Sequence, residues 1–310
     1  MSLAQRMSLI KESPTIAVMT KAGKMKKDGA DVIILAAGEP DFDTPQHIKD
    51  AAIKAINEGK TKYTPSGGTP ELKEAVVNKF KHENNLSYTT NEVLVSAGGK
   101  HSIFNTLQAL LSEGDEVIIP APYWVSYPDM ALLADATPVC VECTIEENYK
   151  FTPQKLKLAL SPKTKALILN SPSNPTGMVY TANELKALAD VLRNHPQVYI
   201  ITDDIYEHIL FADQSFVSIA NVAPDMLERI IVINGVSKAY AMTGWRIGFA
   251  ACKDATIIKA MDTIQSQSTS NPCSIAQAAA LAALNGGLDC IKPMLKAFSE
   301  RHDYVVARLN

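Results

Sequence analysis

The segment Gly235-Val-Ser-Lys238-Ala-Tyr-Ala-Met-Thr-Gly-Trp-Arg246-Ile-Gly248 holds residue types suited to covalent chemistry. A lysine amine can attack a carbonyl carbon and form a Schiff base. An arginine a few residues further on suits bidentate binding of a phosphate. The pair could be ordinary surface residues, but the small residues around them and an apolar run just before, Arg229–Asn234, argue otherwise. Open α/β sheets bind ligands at the C-terminal ends of such strands. A second candidate is Gly98-Gly99-Lys100, a Gly-Gly turn between a strand-like and a helix-like run. Backbone N–H groups at a helix N-terminus favour an anion, although a plain tight turn has the same sequence. It is not a Walker loop, because that spacing needs glycine where Leu94 stands, and no G-x-G-x-x-G occurs. Cys140-x-x-Cys143 has metal-like spacing but sits in the apolar run Pro138–Cys143, where positions three apart face opposite ways on a strand. No second pair or nearby histidine completes a zinc site, so it reads as structural.

The elements that would carry these groups alternate. Strand-like runs are Glu92–Ser96, Glu116–Pro120, Ala166–Asn170, Val198–Thr202 and Arg229–Asn234. Helical patterns follow the first two, over about 101–111 and 125–134. Unbroken apolar runs suit strands buried on both faces of a largely parallel sheet, and the alternation predicts an α/β layer architecture. Helix starts are marked by Thr44-Pro45 and Thr69-Pro70 as N-cap plus first-turn proline, and by the capping box Thr181-x-x-Glu184 before a helix to about Asn194. The tail from Asp289 onward is helical in pattern. No repeat or linker-like run is present.

Composition narrows the function classes. Hydrophobic residues are 46% and charged residues 20%, enough apolar material for a core. The net charge of −3 gives no basic excess for nucleic acid or an anionic membrane. No run nears the roughly 18 apolar residues of a membrane span, and the first fourteen residues lack a signal-peptide core. Five cysteines, an odd number, fit free thiols and a cytoplasmic setting.

Several stretches together resemble one family. They are Ala37–Phe42 (AGEPDF), Lys62-Tyr63-Thr64-Pro65, Gly98-Gly99-Lys100, Pro122-Tyr123-Trp124, Asn170–Gly177 (NSPSNPTG), Asp203-Asp-Ile-Tyr206 and the Lys238–Arg246 segment, in that order. The chain resembles, over essentially its whole length, the class I aminotransferases dependent on pyridoxal 5′-phosphate (PLP), of the aspartate aminotransferase type and its aspartate/prephenate branch. The resemblance implies fold type I: a large domain with a mainly parallel sheet and flanking helices, and a small α+β domain. It implies three segments, 1–44 in the small domain, 45–286 as the PLP-binding domain and 287–310 as the start of the C-terminal small domain.

The family's residue roles carry over by position. Lys238 would hold PLP as an internal aldimine and then shuttle the proton during turnover. Asp203 would pair with the pyridine nitrogen; it is chosen over Asp204 because the family has Asp and Tyr three apart. Tyr206 and Asn174 would bind the 3′ oxygen, and Trp124 would stack on the ring. Gly99, Lys100 and Arg246 would hold the phosphate, with Ser237 a further candidate, since Gly235 stands where some relatives have serine. Gly38, together with Trp124 and Asn174, would border the substrate, and Lys11 its distal carboxylate. Tyr63 would reach the neighbouring subunit's phosphate, implying a homodimer with shared sites; Ser270 and Asn271 would lie near that boundary.

The implied reaction is ping-pong amino transfer between aspartate or glutamate and a 2-oxo acid. Aspartate with 2-oxoglutarate is the leading pair, and prephenate is a possible acceptor. Alternatives are a C–S β-lyase or an aromatic or branched-chain aminotransferase. Family chains extend past the position of Asn310 and carry there an arginine for the substrate α-carboxylate, to which no residue here corresponds. The resemblance therefore also implies weak amino-acid binding by these residues alone, exposed apolar surface, and, as an alternative of another class, an inactive fragment that keeps its cofactor or dimer contacts.

Overall fold

A computed structural model describes residues 3–12, 14–35, 38–211 and 214–309. Its strands are β1 (Val93–Ser96), β2 (Glu116–Ala121), β3 (Thr137–Glu142), β4 (Thr164–Asn170), β5 (Tyr199–Asp203), β6 (Ile230–Gly235) and β7 (Gly248–Ala251). They form one seven-stranded sheet in the order β1-β7-β6-β5-β4-β2-β3. Pairing is parallel from β6 through β5, β4 and β2 to β3. Only β7 runs the other way, antiparallel to both β1 and β6. The five strands read from the sequence are all present within two residues at either end. The short β7, Gly-Phe-Ala-Ala, carried no strand signal and reverses one position of the parallel sheet.

The helices are α1 (Pro14–Lys27), α2 (Gln46–Asn57), α3 (Pro70–Asn84), α4 (Gly99–Leu110), α5 (Ser126–Leu133), α6 (Pro153–Ala159), α7 (Ala182–Leu192), α8 (Ile219–Val222), α9 (Ala255–Ser268), α10 (Ser274–Asn285) and α11 (Lys292–Leu309). They cover both faces of the sheet, which explains the unbroken apolar strands. In β4, Leu167 and Leu169 pack with Leu72, Phe80, Leu185 and Ala280 of α3, α7 and α10. Ala166 and Ile168 point to the other face, with Ile103, Leu107 and Met261 of α4 and α9. Each fully buried leucine or isoleucine contributes about 1.5–3 kcal/mol relative to exposure.

Thr69 accepts from the Leu72 amide as an N-cap, and Thr181 and Glu184 form the expected capping box. Thr44 does not cap α2, whose N-cap position is Pro45. Its hydroxyl donates to the Ala241 carbonyl (2.7 Å) and accepts from Trp245 Nε1 (2.9 Å). The sequence reading is corrected there: two partners nearly two hundred residues away hold the hydroxyl that local pattern assigned to the helix. Cys140 is exposed on edge strand β3 and Cys143 is buried just past it, as opposite faces require.

Candidate active site

The C-terminal ends of the parallel strands open onto a cavity of about 570 Å³. β4 delivers Asn170 to it, β5 delivers Asp203, and the turn after β5 delivers Tyr206. The connection from β6 to β7 delivers Ser237, Lys238 and Arg246. β1 leads into Gly99 and Lys100 at the start of α4, and β2 leads to Tyr123 and Trp124. Asn174 and Gly38 complete the wall. Thus Gly38, Gly99, Lys100, Trp124, Asn174, Asp203, Tyr206, Ser237, Lys238 and Arg246, spread over more than two hundred residues of sequence, share one cavity.

Four singled-out positions lie elsewhere. Lys11 borders a neighbouring cavity of about 350 Å³, on the far side of Lys100 and Arg246. Asn271 borders a wide cleft with Pro40–Thr44, and Ser270 beside it donates to the Asn271 side chain (3.5 Å). Tyr63 is 89% exposed and outside all three spaces. Its loop is nevertheless fixed. Buried Gln277 donates to Thr64 Oγ1 (3.0 Å) and accepts from the Thr69 amide (2.8 Å), while buried Gln265 donates to the Ser66 carbonyl (2.6 Å). Ala37 of the Ala37–Phe42 stretch lies outside the described residues.

Asp203 is almost fully buried. Burial pushes its carboxyl up to about 6, against the Tyr127 hydroxyl, the Ile205 amide and the charge of Lys238. Tyr127 donates to Oδ2 at 2.7 Å and the Ile205 amide to Oδ1 at 3.4 Å. Tyr127 is a site residue that the sequence reading missed; its only local signal is its place one helical turn after Trp124, whose ring it meets edge-on at 5.4 Å. Asn170 was quoted within a motif but given no role. It donates to the Asp203 carbonyl (2.8 Å) and accepts from the Asn174 amide (2.7 Å), so it couples two cavity residues. Asn174 in turn hydrogen-bonds the Tyr206 phenol, which burial and Asp203 push up to about 12.

Lys238 is half-buried, and burial lowers the pKa of its amine, opposed by Glu39 and Asp203 and reinforced by Arg246. The amine donates to the Gly38 carbonyl and sits 5.5 Å from the centre of the Tyr206 ring. Residues 38–44 run across this loop as a strap. Thr243 donates to Glu39 (2.8 Å), and the Thr44 contacts described above pin the other end.

The opposite end of the cavity is cationic. Arg246 has left-handed backbone (φ 57°) and donates to the carbonyls of Thr243 (2.9 Å) and Ala97 (3.4 Å). Lys100 lies 4.9 Å over the Trp124 ring, its pKa lowered by burial and by Arg246. Among the described residues neither cation has a carboxylate within ion-pair distance. The Gly99 and Lys100 amides at the start of α4 line the same end, ahead of the first helical bonds that His101 and Ser102 make to the Gly98 carbonyl. Glycine shapes this cradle. Gly98 has φ 94°, and a Cβ there would strike the Arg246 guanidinium. A Cβ on Gly248 would strike the Gly99 amide nitrogen, and one on Gly235 would lie 2.9 Å from Gly248 Cα.

A three-layer α/β sheet thus carries at its C-terminal edge the Lys238 amine, a buried carboxylate and a cationic cradle suited to an anion. A sequence model of the family described as aminotransferase class I and II matches residues 30–310. The aspartate/prephenate aminotransferase of Nitrosomonas europaea is 56% identical over 310 residues, covering 100% of this chain and 78% of the relative. That of Cereibacter sphaeroides is 55% identical over 308 residues, covering 99% of this chain and 77% of the relative. The crystal structure of an aspartate aminotransferase from Rhizobium meliloti superposes with a TM-score of 0.95 at 47% identity, over 99% of this chain and 76% of that one. The Thermus thermophilus enzyme with maleate gives 0.91 at 45% identity, over 97% and 77%. The chain belongs to the class I and II aminotransferases.

Proposed function

We propose that the chain transfers amino groups between a dicarboxylic amino acid and a 2-oxo acid with PLP as cofactor, aspartate and 2-oxoglutarate being the leading pair. The carrying observation is that one cavity sets the Lys238 amine beside a buried carboxylate at one end and an unpaired cationic cradle at the other. Those residues fit PLP. The cradle of Arg246, Lys100, Gly99 and the Ser237 hydroxyl suits its phosphate. Asp203 suits a protonated ring nitrogen, Tyr206 and Asn174 the 3′ oxygen, Trp124 the ring face, and Lys238 the aldehyde carbon. When bound, PLP supplies an electron sink for negative charge at a substrate's α-carbon.

The protein's own part is positioning and proton transfer. The half-buried Lys238 amine, its pKa lowered, can take a proton from a substrate α-carbon and return it to a neighbouring carbon without leaving the cavity. Gly38 receives that amine's N–H bond and leaves room for the substrate's carboxylate. Asp203, held by Tyr127, keeps a negative charge where a ring cation would sit.

Both curated relatives named above are called aspartate/prephenate aminotransferases, which supports prephenate as a second amino acceptor. We read the exposed Tyr63, on a loop held by Gln265 and Gln277, as part of a homodimer surface, with Ser270 and Asn271 near it. The segments 1–44, 45–286 and 287–310 are the domain division that goes with this reading. Free thiols at all five cysteines support a cytoplasmic setting.

The test is to load the protein with PLP, reduce with borohydride and map the modified peptide, then assay aspartate with 2-oxoglutarate. Covalent PLP on Lys238, lost in Lys238→Ala, together with glutamate formation, is expected. Modification at another lysine would overturn the site. Release of a thiol, ammonia and pyruvate from a cysteine thioether, in place of amino transfer, would favour the lyase chemistry.

A further inference from the structure

We propose that Glu207 is a positioning residue for this reaction: a buried carboxylate that fixes the Tyr206 phenol relative to Lys238. The proposal rests on the cofactor reading above. Glu207 follows Tyr206 directly, yet its side chain, only 3% exposed, points away from the cavity. There Oε1 accepts from the Lys79 ammonium and from Asn234 Nδ2 (2.8 Å), and Oε2 accepts from Asn84 Nδ2 (2.5 Å). Lys79, also 3% exposed, donates to Asn84 Oδ1 (2.6 Å) and lies 3.6 Å from Glu83. His208 Nδ1 is 3.7 Å from Glu207, and its Nε2 is 3.0 Å from Glu83.

One of these contacts, and a backbone bond of Glu207 itself, lead toward the cavity. Asn234 is in β6, and its Oδ1 accepts from the Gly235 amide (2.7 Å), where the chain turns out toward Lys238. Glu207 itself closes the turn after β5, its amide donating to the Asp204 carbonyl (3.0 Å). One carboxylate therefore ties the turn bearing Tyr206 and the strand exit leading to Lys238 to each other and to α3. A buried ion pair is a poor device for stability alone, because well-packed apolar residues often do as well or better. What it provides here is direction, since three donors, two on α3 and one on β6, converge on two oxygens.

The consequence reaches the cavity through Tyr206, whose phenol hydrogen-bonds Asn174 and whose ring centre lies 5.5 Å from the Lys238 amine. Slack in the turn would leave the fold intact and displace the phenol. The test compares PLP-loaded wild type, Glu207→Gln, Lys79→Met/Glu207→Gln and Glu83→Gln. Glu83 touches Lys79 and His208 but not Asn234, so its loss perturbs the cluster without releasing the clamp. Three properties are measured: the apparent pKa of the lysine-bound PLP absorption, the steady-state constants, and the urea midpoint.

Both Glu207 variants are expected to shift the spectroscopic pKa by about one unit or more, the scale of one lost hydrogen bond to an ionised oxygen. They should lower kcat about tenfold with little change in KM, as loss of transition-state alignment requires. The double variant, which leaves no unpaired lysine charge, should recover much of the urea midpoint and none of the pKa. Glu83→Gln should lower the midpoint and leave the pKa in place. A wild-type pKa in both Glu207 variants, with activity falling only as stability falls, would overturn the proposal and leave the cofactor reading standing. Absence of a lysine-bound PLP band in folded wild type would overturn both.

Discussion

Replacing Tyr127 with phenylalanine removes a single oxygen, the one that donates to Asp203 Oδ2 at 2.7 Å. The remaining protein donor, the Ile205 amide, is 3.4 Å from the other oxygen. A hydrogen bond to a charged group is worth about 1.5–3 kcal/mol, and one pKa unit is about 1.4 kcal/mol, so the Asp203 carboxyl should rise by roughly one to two units. Burial already pushes it up to about 6, which places it between about 7 and 8 in the variant. PLP binding through a protonated ring nitrogen needs the carboxylate ionised. The fraction already ionised then sets the pH dependence of affinity. At pH 6.5 the wild-type site is mostly ionised, whereas a variant near 7.5 is about one-tenth ionised and should bind PLP close to tenfold more weakly by mass action. At pH 8.5 both are ionised and the difference should fall below about twofold. Fluorescence titration of PLP into the apo forms at the two pH values measures this. Equal weakening at both would show that the tyrosine acts by packing alone. Equal affinity at both would remove Tyr127 from the site.

Gly98→Ala puts a side chain at φ 94° and against the Arg246 guanidinium; strain of this kind costs about 1–3 kcal/mol. The lowered urea midpoint should be accompanied by at least tenfold weaker binding of PLP, and a loss of stability with unchanged PLP affinity would argue against the cradle. Asp204 is fully buried, with Thr202 donating to one oxygen (2.6 Å) and the other unpartnered, and burial pushes it up to about 7. Its folded-state pKa lies above the unfolded value, so its contribution is present below about pH 4 and fades as pH rises to about 7. Asp204→Asn should therefore flatten the fall of unfolding free energy between pH 5 and 7, as read by urea denaturation; an unchanged slope would mean that Asp204 is ionised throughout.

The parts of this molecule legible in sequence are those encoded locally. Apolar runs announced β2, β4, β5 and β6 because each is buried on both faces by neighbours of any identity. Lys238, Asp203 and Tyr206 stood out because each keeps its motif spacing where the chain leaves a strand. Tyr127, Asn170 and Glu207 did not, because what each does is decided by a partner far away in sequence. Glu207 meets Lys79 and Asn234, and Tyr127 meets Asp203. Thr44 shows the same limit in reverse: a good local cap signal lost its hydroxyl to Ala241. β7 was invisible for another reason, since four residues with a single large side chain, Phe249, carry no period to read.

The reversed strand β7 has a consequence for how this sequence can vary. Because β7 returns antiparallel to β6, the loop 236–247 leaves and re-enters the sheet at directly paired positions, Gly235 opposite Gly248. Both anchors are glycines packed without space for a Cβ. Lys238 and Arg246 thus belong to one stapled loop whose length is fixed at both ends. An inserted or deleted residue cannot be absorbed by sliding a strand, and it would change the distance between the amine and the guanidinium. The crossovers bearing α6 and α7 lie outside this staple and can lengthen without moving either group. Length variation in homologous or engineered chains should therefore collect in those crossovers and spare residues 235–248.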